Sequence, residues 1–272
     1  MGKRNYSWTE EKIQRYLKEG RGQGELSNYK PWITVQDFSS KGRAHRIKGW
    51  TTNRMHQFFS DHERNCFYLL DWAEDVIDIR EQFPLDREIT TQIAEEFRIN
   101  HSHDNITKVP YVMTTDFLVT VRKGNKIIDV ARTVKPSKEL EKESVICKFE
   151  IEREYWRQQN IDWKIVTEKE MDNKIVNNIK WVHSSFFPYE GINDREIYLL
   201  SEYLKKHNAP IINLLVQFDE IYNLDKGNSL SILKYLISKK IIQIDLKEKF
   251  ELTSISSQLV FNNDDKSRRF AT

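Results

Sequence analysis

Asp116 stands at the head of an apolar run, Thr115-Asp116-Phe117-Leu118-Val119, and Lys135 closes the next such run, which begins at Ile127. An ionised carboxylate in that setting is costly to bury unless a cation or hydrogen bonds compensate it. The turn Lys123-Gly124-Asn125-Lys126 makes the two runs a predicted hairpin. Period-two alternation then puts Asp129, Ala131, Thr133 and Lys135 on one face of the second strand. An aspartate on one strand and a lysine ending the next suit phosphodiester hydrolysis. A hard cation such as Mg²⁺ takes oxygen ligands and acidifies an attacking water, while lysine adds a mobile point charge for the phosphate. By spacing alone, the pair reads more readily as an ordinary surface ion pair.

Two further acids bear on that choice. Ser60-Asp61-His62-Glu63 has the spacing of a helix capping box, in which Glu63 only reaches back to the helix start; the same position would let it supply a second carboxylate to an ion. On the long helix predicted over Lys138 to Gln159, Glu152 falls inside an arc formed by Val145, Phe149, Ile151, Tyr155 and Trp156. A glutamate there either pairs with a buried cation or serves a site, orienting Lys135 or a water held by the metal. His101-Ser102-His103-Asp104 reads as a solvated loop rather than a transition-metal site.

The elements that must position these groups follow a regular order. A helix over Ser60 to Leu70, a strand over Val76 to Phe83 and the hairpin come first, then the long helix and a strand over Trp163 to Thr167. That order gives an α/β core. Upstream, a short helix after Ser7-Trp8-Thr9-Glu10 ends in a flexible Gly20 to Gly24 segment, and Trp32 to Arg54 reads as an extended arm and hairpin outside the core. Beyond Glu168 the pattern turns helical, with helices near 174–182, 195–206, 211–222 and 229–238, then extended runs over 241–246 and 252–261. Helices followed by a terminal hairpin suggest a winged helix-turn-helix. The predicted domains are 1–169 and 170–272, a division that 272 residues accommodate.

The net charge is only +2, so attraction to nucleic acid has to come from a local patch. Residues 1–59 supply one, with twelve Lys and Arg against five Asp and Glu. Trp32, Trp50, Phe58 and Phe59 interleave with these cations, which suits nucleic-acid contact or simple packing. Cys66 and Cys147, each in an apolar helical pattern, read as small core residues rather than a disulfide or metal knuckle. With no apolar leader and no run of spanning length, the expectation is a cytoplasmic protein with no membrane association.

Several segments together resemble the TnsA family, the endonuclease subunits of heteromeric Tns transposases. They are Gly20-Arg21-Gly22-Gln23-Gly24, Pro31-Trp32-Ile33-Thr34-Val35-Gln36, Ile77-Asp78-Ile79-Arg80-Glu81-Gln82-Phe83-Pro84-Leu85, Thr115-Asp116-Phe117-Leu118-Val119 and Val134-Lys135-Pro136. The resemblance implies a restriction-endonuclease-like mixed-sheet core that uses Mg²⁺, with Mn²⁺ able to substitute. It also implies a winged-helix-like C-terminal domain that engages a TnsC-like ATPase regulator. The implied reaction is cleavage of transposon DNA at its 5′ ends, while a separate TnsB-like transposase processes the 3′ ends. Carried over by motif, Glu63 and Asp116 are the metal carboxylates, Lys135 the catalytic lysine, and Glu152 stands where the family has a further acid. Thr133 departs, standing where the family has Gln and the wider nuclease class Glu or Asp. Its neutral hydroxyl can ligate a metal but adds no charge, which leaves more to the Val134 carbonyl. The alternative is a non-catalytic assembly subunit bridging transposase, ATPase regulator and DNA.

Overall fold

A computed structural model describes residues 7–37, 43–187 and 193–262. The chain divides into two units, Met1–Met171 and Asp172–Thr272. Among the described residues, no helix is long and apolar enough to cross a membrane.

In the first unit, helix α1 (Glu10–Lys18) is capped by Thr9, whose side chain accepts from the Lys12 N–H, so the helix starts later than the Ser7 spacing suggests. The glycine segment after it is a fixed turn rather than a flexible one. Gly22 has φ +77°, and a Cβ there would lie 2.2 Å from the ring of Pro84. Trp32 is likewise core, buried with Ile13 and Tyr16, and its N–H donates to the Gln82 carbonyl. The arm around Trp32 is therefore packed onto the core rather than lying outside it. The strands β1 (His45–Lys48) and β2 (Met55–Phe58) form the expected hairpin, antiparallel with His45 opposite Phe58. The part of the arm over 38–42 lies outside the described residues.

Helix α2 (Asp61–Trp72) leads into β3 (Val76–Pro84), followed by α3 (Arg87–Glu96), β4 (Thr114–Lys123) and β5 (Lys126–Val134). The long helix starts later than the sequence suggests, because a single 3₁₀ turn over Ser137–Glu139 precedes α4 (Glu143–Gln158). Strand β6 (Asp162–Val166) completes a four-stranded sheet in the order β3-β4-β5-β6. The first three strands are antiparallel and β6 is parallel to β5, the pairing that a crossover through α4 permits. One side of the sheet packs Leu118 and Ala131 against Ile151, Tyr155 and Trp156 of α4. Phe117 instead meets Phe58, which packs on Phe67 of α2.

The hairpin is held to β3 by a buried ionic network. Arg54 donates to both carboxylate oxygens of Glu81 and to the Ile79 carbonyl, and His56 Nδ1 and the Gln57 N–H also reach the Glu81 carboxylate. Burial pushes Glu81 up, but His56 and Arg54 overcome it and hold the carboxyl down at about 2. Arg54 thus leaves the basic patch counted from the sequence, as does Arg21, which is tied to Asp37 at 2.6 Å. Lys3, Arg4 and Lys41 lie outside the described residues.

In the second unit, α5 (Asn173–His183), α6 (Asp194–Lys206), α7 (Ile211–Ile221) and α8 (Asn228–Ser238) pack around Leu200, Phe218, Ile232 and Leu233. The two extended runs shrink to a short antiparallel pair, β7 (Ile242–Gln243) with β8 (Val260–Phe261). Asn178 is the reason: its amide donates to the carbonyls of Leu246 and Glu248 and accepts from the Phe250 N–H, which turns that backbone onto α5.

Removing one partner from a buried ion pair strands the other charge. Arg54→Met is therefore expected to cost about 3–5 kcal/mol in denaturant unfolding. Arg153→Ala, which breaks an exposed pair with Glu150, is expected to cost about 1 kcal/mol or less. Equal losses would show that the Arg54–Glu81 network is not what fixes the hairpin.

Candidate active site

Ser60 caps α2 by accepting from the Glu63 N–H at 3.1 Å, and in return its hydroxyl donates to Glu63 Oε1 at 2.8 Å. The other oxygen of Glu63 accepts the Phe59 N–H at 3.0 Å. Ser60 caps the helix as its spacing predicts, but Glu63 reaches the Ser60 hydroxyl and the Phe59 N–H rather than the Ser60 backbone, which aims the carboxylate rather than exhausting it. Gln82 Nε2 lies 3.5 Å from Glu63 Oε2 and 3.3 Å from Asp116 Oδ1. The two acids are brought together through one amide nitrogen.

Asp116 occupies a break in the sheet. The β4–β5 ladder ends at Phe117 opposite Arg132, and the Val134 N–H donates to Asp116 Oδ2 at 2.7 Å. The aspartate side chain takes a donor that a continued ladder would have used, so the strands part there. Lys135 follows directly, with its N–H on the Val166 carbonyl at 3.0 Å and its half-buried side chain close enough to favour the ionised form of both carboxylates. Glu63, Asp116, Val134 and Lys135 therefore converge.

Thr133 and Glu152 form a layer behind them. Thr115 and Thr133 both donate to Glu152 Oε1, the first at 2.6 Å, and each hydroxyl accepts an indole N–H, Thr115 from Trp156 at 2.7 Å and Thr133 from Trp163 at 3.0 Å. The Thr133 hydroxyl is thus engaged with α4 and β6 side chains. Glu152 holds the residues just before Asp116 and Val134, and among the described residues it makes no hydrogen bond or ion pair with Lys135. Among the described residues, no three His, Cys, Asp and Glu side chains form a metal cluster. His101 is tied to Ser102 and Thr90, and Asp104 to the N–H groups of Trp8, Ile106 and Thr107, so that loop is a structural clasp.

The electrostatics separate this site from the network beside it. Burial first, then the charge of Asp116, pushes Glu63 up to about 8, and burial pushes Asp116 up to about 6 despite the Val134 N–H, Gln82 and Lys135. Glu152 rises to about 7 through burial, against its hydroxyl donors. Buried Cys66, near both carboxylates, is pushed up to about 12 and behaves as a core thiol. Cys147 is only half-buried, less than its helical pattern suggested.

Several residues here escaped sequence reasoning. Gln82 has φ +50° inside β3, where bulky side chains rarely adopt positive values, and its side chain is buried. The available signal was the run Arg80-Glu81-Gln82, in which Glu81 interrupts the apolar–polar alternation of Ile77 to Arg80. Thr115, Trp156 and Trp163 carried no signal, because their roles depend on which hydroxyl meets which indole across the sheet.

A mixed sheet parted around an aspartate, with a helix-borne glutamate facing it and a lysine at the end of the neighbouring strand, defines the restriction-endonuclease-like fold. Residues 73–168 match the family model described as TnsA-like endonuclease N terminal, and residues 170–246 the one described as TnsA endonuclease C terminal. The chain is 39% identical over 254 residues to the Transposon Tn7 transposition protein TnsA of Escherichia coli, covering 92% of this chain and 91% of that relative. The chain belongs to the TnsA endonuclease family.

Carboxyls raised in the folded state contribute stability that is full below their ordinary values near 4 and is lost as pH rises through the folded values. With Glu63 at about 8, Asp116 at about 6 and Glu152 at about 7, the metal-free chain is expected to lose thermal stability between pH 5 and 8 (the window these values set). Mg²⁺ is expected to restore more of it at pH 8 than at pH 5, since a cation competes with protons for the same oxygens. A melting temperature that holds level or rises across that interval in EDTA would contradict this electrostatic picture.

Proposed function

We propose that this chain is a metal-dependent DNA endonuclease that cuts the 5′ ends of a transposon during cut-and-paste transposition, with a TnsB-like transposase processing the 3′ ends. The observation that carries the reading is the approach of the Glu63 and Asp116 carboxylates to a single nitrogen of Gln82, with Lys135 nearby. Two buried carboxylates with raised proton affinity and, among the described residues, no cationic group in hydrogen-bond contact are a donor set suited to a hard divalent cation. Glu63 and Asp116 would hold Mg²⁺, or Mn²⁺ in its place, with the Val134 carbonyl the next available oxygen in the strand. Thr133 contributes through its contact with Glu152 rather than as a charged ligand. When bound, the cation supplies positive charge to the phosphoryl oxygens and acidifies the attacking water.

The chain's own residues do the rest. Lys135 offers its ammonium to the scissile phosphate, where negative charge grows as water adds to phosphorus and the P–O bond to the leaving strand breaks. Glu152, through Thr115 and Thr133, keeps the two strands parted at the distance Asp116 needs. Exposed Arg46 and Lys48 on β1, and Arg15 and Lys18 on α1, supply cations for the DNA backbone. For the C-terminal unit we favour a protein partner, a TnsC-like ATPase regulator. Lys234 of α8 lies over the Trp181 ring at 4.8 Å and Lys239 over Phe186 at 3.3 Å, so these cations are spent within the unit. Ile212 and Val216 of α7 are exposed.

Reconstituted transposition reactions that score nicks at the 5′ ends test the reading. Asp116→Ala and Lys135→Ala are each expected to lower nicking by about 10²-fold or more, with assembly on transposase, regulator and DNA unchanged. Undiminished nicking by both variants would favour the alternative, a non-catalytic assembly subunit.

A further inference from the structure

Gln82 is buried, with a side-chain amide that touches both candidate metal carboxylates. Its carbonyl oxygen accepts from the Thr114 hydroxyl at 3.1 Å. The orientation is chemically required: carboxylate oxygens accept, so the NH₂ end has to face them. Its backbone is equally fixed, since the Gln82 carbonyl accepts the Trp32 N–H and φ is +50°. The preceding residue, Glu81, is locked by Arg54 and His56. Asp116 Oδ1 has no other hydrogen-bond donor among those described, because the Val134 N–H goes to Oδ2.

We infer that Gln82 is a positioning residue: its amide spaces the Glu63 and Asp116 carboxylates so that one divalent cation can bridge them. The inference rests on the reading of those two acids as cation ligands and adds a residue to it. Without the amide, two like-charged groups facing each other rotate apart, and a cation has to gather them before it can bind. The N-terminal turn and the β1–β2 hairpin acquire a purpose in this account. Through Trp32 and Arg54 they fix the backbone on either side of the amide.

The side-chain amide NMR signals of Gln82 in the full chain give the test. They are identified by their loss in Gln82→Leu or, if that variant fails to fold, in Gln82→Met. In EDTA the signals are expected to shift in both Glu63→Gln and Asp116→Asn and to stay in place in Glu154→Gln. Adding Mg²⁺ to the unsubstituted chain is expected to shift them again, and Gln82→Leu is expected to need about 10-fold more Mg²⁺ for half-maximal nicking. Signals unmoved by either carboxylate variant would overturn the positioning role. Signals that respond to those variants but ignore Mg²⁺ would leave the amide contact standing and count against the metal reading instead.

Discussion

Two carboxylates facing each other in a buried site repel, and the nuclease-like unit is arranged around holding Glu63 and Asp116 together regardless. Helix α2 has to begin at Ser60, because the cap that starts it also aims Glu63. Strands β4 and β5 have to part after Phe117 and Arg132, because the Asp116 side chain takes the Val134 N–H. Strand β3 has to adopt a positive φ at Gln82 to bring its amide between them. Each is a local departure from regular structure, and all meet at one point, as sites that store strain for function do.

The unit buries acids in three ways, and the contrast says which one serves chemistry. Glu81 is fully compensated, with a guanidinium, an imidazole and a backbone N–H on its oxygens, and is held down at about 2. Glu152 is compensated by neutral hydroxyls and sits at about 7. Glu63 and Asp116 have backbone N–H groups, a serine hydroxyl and a shared amide, but no cation in hydrogen-bond contact. A buried charge lacking a counter-ion is the costly case. Glu152 lacks a counter-ion too, but it is one acid closed off by two hydroxyls, whereas Glu63 and Asp116 bring two carboxylates to a single point where one cation from outside can meet both.

Much of this was legible in the sequence where periodicity and local chemistry decide structure. The alternation through β4 and β5 gave the hairpin and the neighbourhood of Asp116 and Lys135, and the Ser60 to Glu63 spacing gave the helix start. What failed was anything set by pairing across distance. Arg54 counted as one of many surface cations until its partner at Glu81 became visible, twenty-seven residues away. Gln82 had only the interrupted alternation at Glu81 beside it as a signature, because its φ, not its residue type, turns it into the site. Trp32 read as part of an extended arm outside the core and the Gly20 to Gly24 segment before it as flexible, whereas Trp32 is buried and Gly22 is required by the closeness of Pro84. The C-terminal extended runs were overestimated because Asn178, on a helix 68 residues earlier, captures that backbone.

The central claim is that Glu63 and Asp116 share one cation. Anomalous scattering from crystals grown with Mn²⁺ addresses it directly. A shared ion gives a single strong peak about 2 Å from one oxygen of each carboxylate, with Gln82 at its edge and none at His101 or His103. A peak coordinated by only one of the two acids, or a metal bound elsewhere while both retain the Gln82 contact, would contradict it.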